Sequence, residues 1–78
     1  MNSNFRLENV KDIKATILIV DDMEINRMIL EDMLYEDYNI EQASDGLEAL
    51  QKLSDETNLP SLVLLLYYSY IAFVYSLY

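Results

Sequence analysis

Thr16-Ile17-Leu18-Ile19-Val20-Asp21-Asp22 is the stretch on which the reading of this chain turns. An aliphatic, largely β-branched run leads straight into two adjacent carboxylates. The run has no polar alternation, which suits a strand buried on both faces, as in a parallel sheet covered by helices. Periodicity alone leaves a buried helix segment open; brevity and β-branched content favour the strand. The acidic pair then stands at the carboxyl end of the strand, the edge at which open α/β sheets bind ligands.

Composition narrows the classes. A chain of 78 residues holds one small domain, and a domain of this size buries only about 60% of its unfolded surface. Five basic against fourteen acidic residues give a net charge of −9. That argues against nucleic acid as a partner, because phosphates are met by Lys/Arg patches, and it suits a site for a cation. The chain has no cysteine and no histidine, so disulfides, zinc sites, haem and a catalytic triad are excluded. The N-terminus shows no apolar leader run, and a cytoplasmic location is expected. Every charged residue lies at or before Glu56, and Thr57 to Tyr78 carries none.

Residues 1–14 read as a polar lead-in in which Phe5, Leu7, Val10 and Ile13 recur at helix-like spacing; a mobile tail is the simpler reading. After the first strand, a helix is expected over about 24–35. Ile25, Met28, Ile29 and Met33 form its apolar stripe, widened by Leu30 and Leu34, with Glu24, Arg27, Glu31 and Asp32 toward water. Glu24 in the first turn suits the helix dipole. Asp21 and Asp22 could instead cap this helix, since a carboxylate accepts from its free N–H groups. A shorter strand is expected over about 39–43. A second helix follows over about 46–55, with Gly46, Ala49, Leu50 and Leu53 as its buried face. Asp45 is a suitable N-cap and Glu48 stands three residues on, as in a capping box. Pro60 ends the connector, and Ser61-Leu62-Val63-Leu64-Leu65-Leu66 is a third buried strand. The order βαβαβ predicts an α/β fold with right-handed crossovers, its first strand between the other two.

These pieces together resemble one family. Ile17-Leu18-Ile19-Val20-Asp21-Asp22, then Asn26-Arg27 and Leu30, then Ala43-Ser44-Asp45-Gly46-Leu47-Glu48-Ala49-Leu50, and last Pro60-Ser61-Leu62-Val63-Leu64-Leu65 look like the first half of a response-regulator receiver domain of two-component systems. The resemblance implies a flavodoxin-like (CheY-like), doubly wound parallel sheet, here truncated, with residues 15–66 as the partial receiver domain and 67–78 as a non-family, apolar, Tyr-rich tail. It implies a place in phosphorelay signalling, with a histidine kinase or phosphotransfer protein as partner. Receivers carry a phosphoryl group on an aspartate at the end of the third strand, beside magnesium held by that aspartate and the acidic pair. A hard divalent ion wants oxygen ligands, and phosphoryl transfer is mainly positioning and charge neutralisation. By position, Asp22 resembles the direct metal ligand and Asp21 the one acting largely through water.

The departures are as informative. Where the family places the acceptor aspartate, this chain has Leu66, and no counterpart exists of the later strands with their Ser/Thr and Lys. The expectation is a module that is not an enzyme and accepts no phosphate, with Asp21 and Asp22 as a vestigial site that binds Mg2+ weakly. The tail admits three readings. It is the product of an interrupted reading frame, or a membrane segment, or an aggregation-prone β segment. The 22 residues from Thr57 to Tyr78 are long enough to span a bilayer, but Pro60, tyrosines along the run and the lack of flanking Lys/Arg count against that. The first reading is favoured as origin and the third as physical consequence, with self-association through the exposed edge of the third strand. The alternative function is a small membrane-tethered or interaction protein, with the receiver-like half as binding surface and 57–78 as an apolar anchor.

Overall fold

A computed structural model of the chain describes residues 14–55, 57–67 and 70–76. The sequence from Thr16 to Ser76 forms β1 (Thr16–Val20), α1 (Glu24–Leu34), β2 (Asn39–Ala43), α2 (Gly46–Leu53), β3 (Leu62–Tyr67) and β4 (Tyr70–Ser76). The lead-in expected over 1–14 lies outside the described residues apart from Lys14.

The sheet has the order β2-β1-β3-β4. The first three strands are parallel, with Val20 opposite both Ala43 of β2 and Leu65 of β3. The uncharged run of β1 thus takes the central place among the parallel strands, where a strand meets neighbours on both edges and side chains on both faces. Leu18 and Ile19 are fully buried, and Ile17 and Val20 nearly so. Strand alternation sends Leu18 and Val20 to one face, where they meet Ala43, Ala49, Val63, Leu53 and Leu65. Ile17 and Ile19 go to the other, with Leu64 and the flanking Leu30, Leu34, Ile40, Leu62 and Leu66. The α1 leucines therefore cover one face and the α2 residues Ala49 and Leu53 the other. The ladders run past the strand ends: Asn39 N–H donates to Ala15 O at 2.9 Å, Ser61 N–H to Thr16 O at 2.8 Å, and Asp21 N–H to Ala43 O at 3.1 Å.

α1 is turned from the orientation that hydrophobic spacing predicts, and the buried face of α2 is narrower than expected. Ile25, Met28, Ile29 and Met33, expected against the sheet, are all more than half exposed, and Met33 is 71% exposed. Leu30 and Leu34 make the sheet contact, flanked by half-buried Asn26, Arg27 and Glu31. The cause is polar. Arg27 Nε donates to Gln42 Oε1 on β2 at 2.9 Å, and Gln42 Nε2 returns to Glu31 Oε1 at 2.5 Å. Two residues expected to face water are drawn onto the sheet, and the helix rotates with them. In α2, Ala49 is buried and Leu53 half-buried, but Gly46 is exposed and Leu50 is 66% exposed. A helix of eight residues meets the sheet through Ala49 and its last leucine, and Leu50 falls beside that contact.

The expected open edge of β3 is occupied, because β4 pairs with it antiparallel from Leu62↔Ser76 to Tyr67↔Tyr70. The residues that follow Leu66 thus add a fourth strand to the expected βαβαβ order. The stretch 57–78 includes two strands in place of one long helix, and no helix among the described residues is long and apolar enough to cross a membrane. Pairing shifts register between Leu65 and Leu66, so that Leu65 faces Phe73 while Leu66 faces Ile71. The extra residue, Ala72, marks a bulge, which bends and twists an edge strand.

Core and stripe differ in a measurable way. Leu18→Ala is expected to lower stability by about 2–5 kcal/mol, the usual range for a buried leucine. Met33→Ala should stay within about 0.5 kcal/mol, as an exposed substitution does. Urea unfolding followed by circular dichroism separates the two; equal losses at both positions would show that α1 is seated on the stripe after all.

Candidate functional site

The carboxyl ends of β1 and β3 and the start of α1 meet at one rim of the sheet. Asp21 directly follows Val20, and Leu66 directly follows Leu65, the partner of Val20 on the neighbouring parallel strand. Asp21 and Leu66 thus occupy adjacent places at the same end of the sheet. Asp22 is the next residue out and is exposed.

Asp21 is 5% exposed, and its Oδ2 atom is buried with no hydrogen-bond partner among the described residues. A buried carboxylate oxygen without a partner is expensive, because it gives up hydration and gains nothing in return. The capping alternative does not account for it. The N-cap of α1 is Met23, in extended conformation, and no side chain caps the helix. The carbonyl of Met23 instead takes N–H bonds from Asn26 and Arg27 at 3.2 and 3.3 Å.

The backbone of Asp21 is held firmly while its Oδ2 atom has no partner. Its N–H is tied to Ala43 of β2, and its carbonyl accepts from Arg27 Nη1 at 2.6 Å. Arg27 therefore joins the β1 rim to Gln42 of β2 and, through Gln42, to Glu31 one turn further along its own helix. Charge-assisted bonds of this type are shorter and stronger than neutral ones. Sequence reasoning placed Arg27 in solvent. The available signal was Gln42, a polar residue in a strand flanked by a buried sheet, which had to find a partner.

On the far side of β2, Asp45 caps α2 as expected: its Oδ1 accepts from Glu48 N–H at 2.8 Å. The return bond departs from the usual capping box. Glu48 Oε1 takes the N–H and hydroxyl of Ser44, at 2.6 and 3.0 Å, one residue before the cap. Ser44 is thus held at the exit of β2.

The donor set at the rim has the chemistry of a hard-cation site, with one orphaned buried oxygen and a second carboxylate beside it. It falls short in number. No group of three or more His, Cys, Asp or Glu side chains able to hold a metal occurs among the described residues. Leu66, at the neighbouring position of this rim, is half-buried and packs with the Ile17, Ile19 and Leu64 cluster. A shallow groove of about 420 Å3 lined by Met28, Glu31, Asp32 and Tyr35 lies on α1, with neither rim aspartate in its lining.

Comparisons of the chain with protein-family models, with curated proteins and with solved structures found no match.

The Ser44 bonds hold the Glu48 carboxyl below its usual value of 4.5, the backbone N–H first and the hydroxyl second. A depressed folded-state pKa means that the stabilisation is present above the unfolded value and is lost as pH falls through the folded one. Acidification below 4.5 should therefore loosen the start of α2. Glu48→Gln should flatten that response, as read from carboxyl NMR titration together with thermal melts. An unshifted Glu48 titration would contradict the Ser44 contact.

Proposed function

We propose that the chain is a receiver-type signalling module, the first half of a flavodoxin-like domain, that keeps a weak divalent-cation site and has lost phosphate acceptance. The observation that carries this reading is the buried, unpartnered Oδ2 of Asp21 beside exposed Asp22, at the carboxyl end of the central parallel strand. An orphaned carboxylate oxygen at this rim is a standing energetic loss unless something positive takes it up. The quoted sequence pieces supply the family, and the observed parallel order with β1 between β2 and β3 is compatible with it.

Asp21 and Asp22 would hold a magnesium ion whose remaining ligands are water, and the ion would supply charge neutralisation at the rim. Oxygen ligands suit magnesium, which commonly binds through one or two carboxylates and keeps several waters. Leu66 offers no oxygen to the ion and no nucleophile to phosphorus. Lys52 lies in α2 and Lys14 precedes β1, so neither takes the place of the lysine that receivers use beside the phosphoryl group. The chain would engage a histidine kinase or phosphotransfer protein by shape without receiving its phosphate.

A second reading, an interaction protein, draws on a different observation. Met23, Ile25, Met28, Ile29 and Met33 expose apolar area on one helix, and exposed apolar patches of some size mark protein-binding surfaces.

Asp21→Asn separates the two. Removing a buried, unpaired charge should raise the melting temperature in the absence of divalent ions, with a gain on the order of 1–3 kcal/mol. The same change should abolish the stabilisation that millimolar Mg2+ gives the unaltered chain. Incubation with acetyl phosphate and Mg2+ should give no added phosphoryl group by mass spectrometry. A stable phosphoryl adduct lost in Asp22→Asn would overturn the proposal by showing that the acidic pair accepts phosphate. Failure of Mg2+ to stabilise the chain at all would favour the interaction reading.

A further inference from the structure

The two edges of the sheet are unlike in a way that singles one of them out. The β2 edge, Asn39-Ile40-Glu41-Gln42-Ala43, has a carboxylate at its centre, and Gln42 is engaged by Arg27 and Glu31. Charge on an edge strand is a standard guard against pairing with another chain. The β4 edge, Tyr70-Ile71-Ala72-Phe73-Val74-Tyr75-Ser76, is seven residues long with no charge, no proline and no glycine; it carries the bulge at Ala72, and Phe73-Val74-Tyr75-Ser76 beyond it is in regular register. It pairs with β3 on one side. On the other side its backbone N–H and C=O groups have no strand partner among the described residues.

Charge decides what can meet that edge. The net charge is −9, and every charged residue lies at or before Glu56. Both helices pack against β1 and β2, so the acidic residues Glu24, Glu31, Asp32 and Glu48 belong to the half of the sheet away from β4. Two copies approaching through the helices would bring carboxylates together. Two copies approaching through β4 would not. Identical strands paired antiparallel also satisfy a two-fold axis, since residue i meets j while j meets i.

We propose that the chain forms a symmetric dimer by antiparallel pairing of β4 with β4, making one continuous sheet across two copies. The dimer closes at two because the remaining outer edges are the β2 strands with Glu41. The pairing is independent of the signalling reading above and needs no cation. A seven-residue strand pair is a small interface, so an affinity on the order of micromolar is expected.

The test uses the full chain in sedimentation velocity across a concentration series at low and high salt. A monomer–dimer equilibrium is expected, tightening as salt screens the like charge of the two copies. Phe73→Lys lies at the middle of β4 and brings a cation near its symmetry mate. It should weaken the dimer at least about tenfold although it reduces net repulsion between copies. Glu41→Lys should leave the dimer in place. Because Phe73→Lys could disturb folding, amide hydrogen exchange on the unaltered chain is read in parallel. Concentration-dependent protection in β4 supports the proposal whatever the variant does. A chain that stays monomeric, an open series of larger species, or protection confined to the α1 stripe of Ile25, Met28, Ile29 and Met33 overturns it.

Discussion

The burial of β1 is the constraint on which the rest of the molecule depends. A strand that is apolar from Ile17 to Val20 is stable only with neighbours on both edges and cover on both faces. The order β2-β1-β3 supplies the edges, and α1 and α2 supply the faces. Removing either helix would expose one of the two clusters that meet at Leu18 and Ile19. A small domain has few other apolar contacts to draw on. The two faces are also unequal. One is closed by a small residue, Ala49, which lets α2 approach closely. The other is closed by Leu30 and Leu34, held at their angle by the polar link from Arg27 to Gln42 and Glu31. A hydrogen-bond network, not the helix's largest apolar stripe, sets how α1 sits.

That network also shapes the rim. Arg27 spends its charge on the carbonyl of Asp21 and on Gln42, leaving the Asp21 carboxylate without it. An arginine one turn into a helix and close to a buried aspartate would ordinarily pair with the carboxylate, where the electrostatic return is greater. Here the geometry holds the backbone and keeps the acidic side chain open. The cost of a buried, unpaired oxygen is the kind of local loss that folded chains tolerate at binding sites and avoid elsewhere.

Most of the architecture was legible in the residues. Strand positions 16–20 and 39–43 and both helix starts follow from apolar runs, caps and turns, and the Asp45 cap of α2 was readable from Asp45 and Glu48 alone. What was not legible depends on contacts between elements. The spacing of Ile25, Met28, Ile29 and Met33 announces an apolar face but not the direction it points. Direction was set by Gln42, a residue fifteen positions from Arg27. The position of Asp21 at a strand end was readable; that one of its oxygens would be buried and unpartnered was not, because burial at the rim depends on how α1 and β2 close over it. The uncharged run after Leu66 announces β-propensity through its composition, and Tyr70–Ser76 is a strand. Its choice of partner, the free edge of β3, depends on that edge being open in the folded chain.

The added strand and the burial of Leu66 are linked. In a parallel sheet with ligand at its carboxyl rim, the residue at the end of the third strand must leave the ladder and face the rim. Leu66 does neither. It stays within β3, opposite Ile71, and joins the apolar cluster of Ile17, Ile19 and Leu64. Tyr67 continues the strand, and pairing with β4 is what allows β3 to extend past the point where β1 stops. Leucine at position 66 therefore supplies one more apolar side chain to the core and a pairing position for β4. That pairing also moves the open edge outward by one strand, from β3 to β4. The β4 edge stands one strand further than β3 from the helices and their carboxylates. The uncharged chain after Leu65 thus both seats Leu66 in the apolar cluster and carries the open edge of the sheet out to β4.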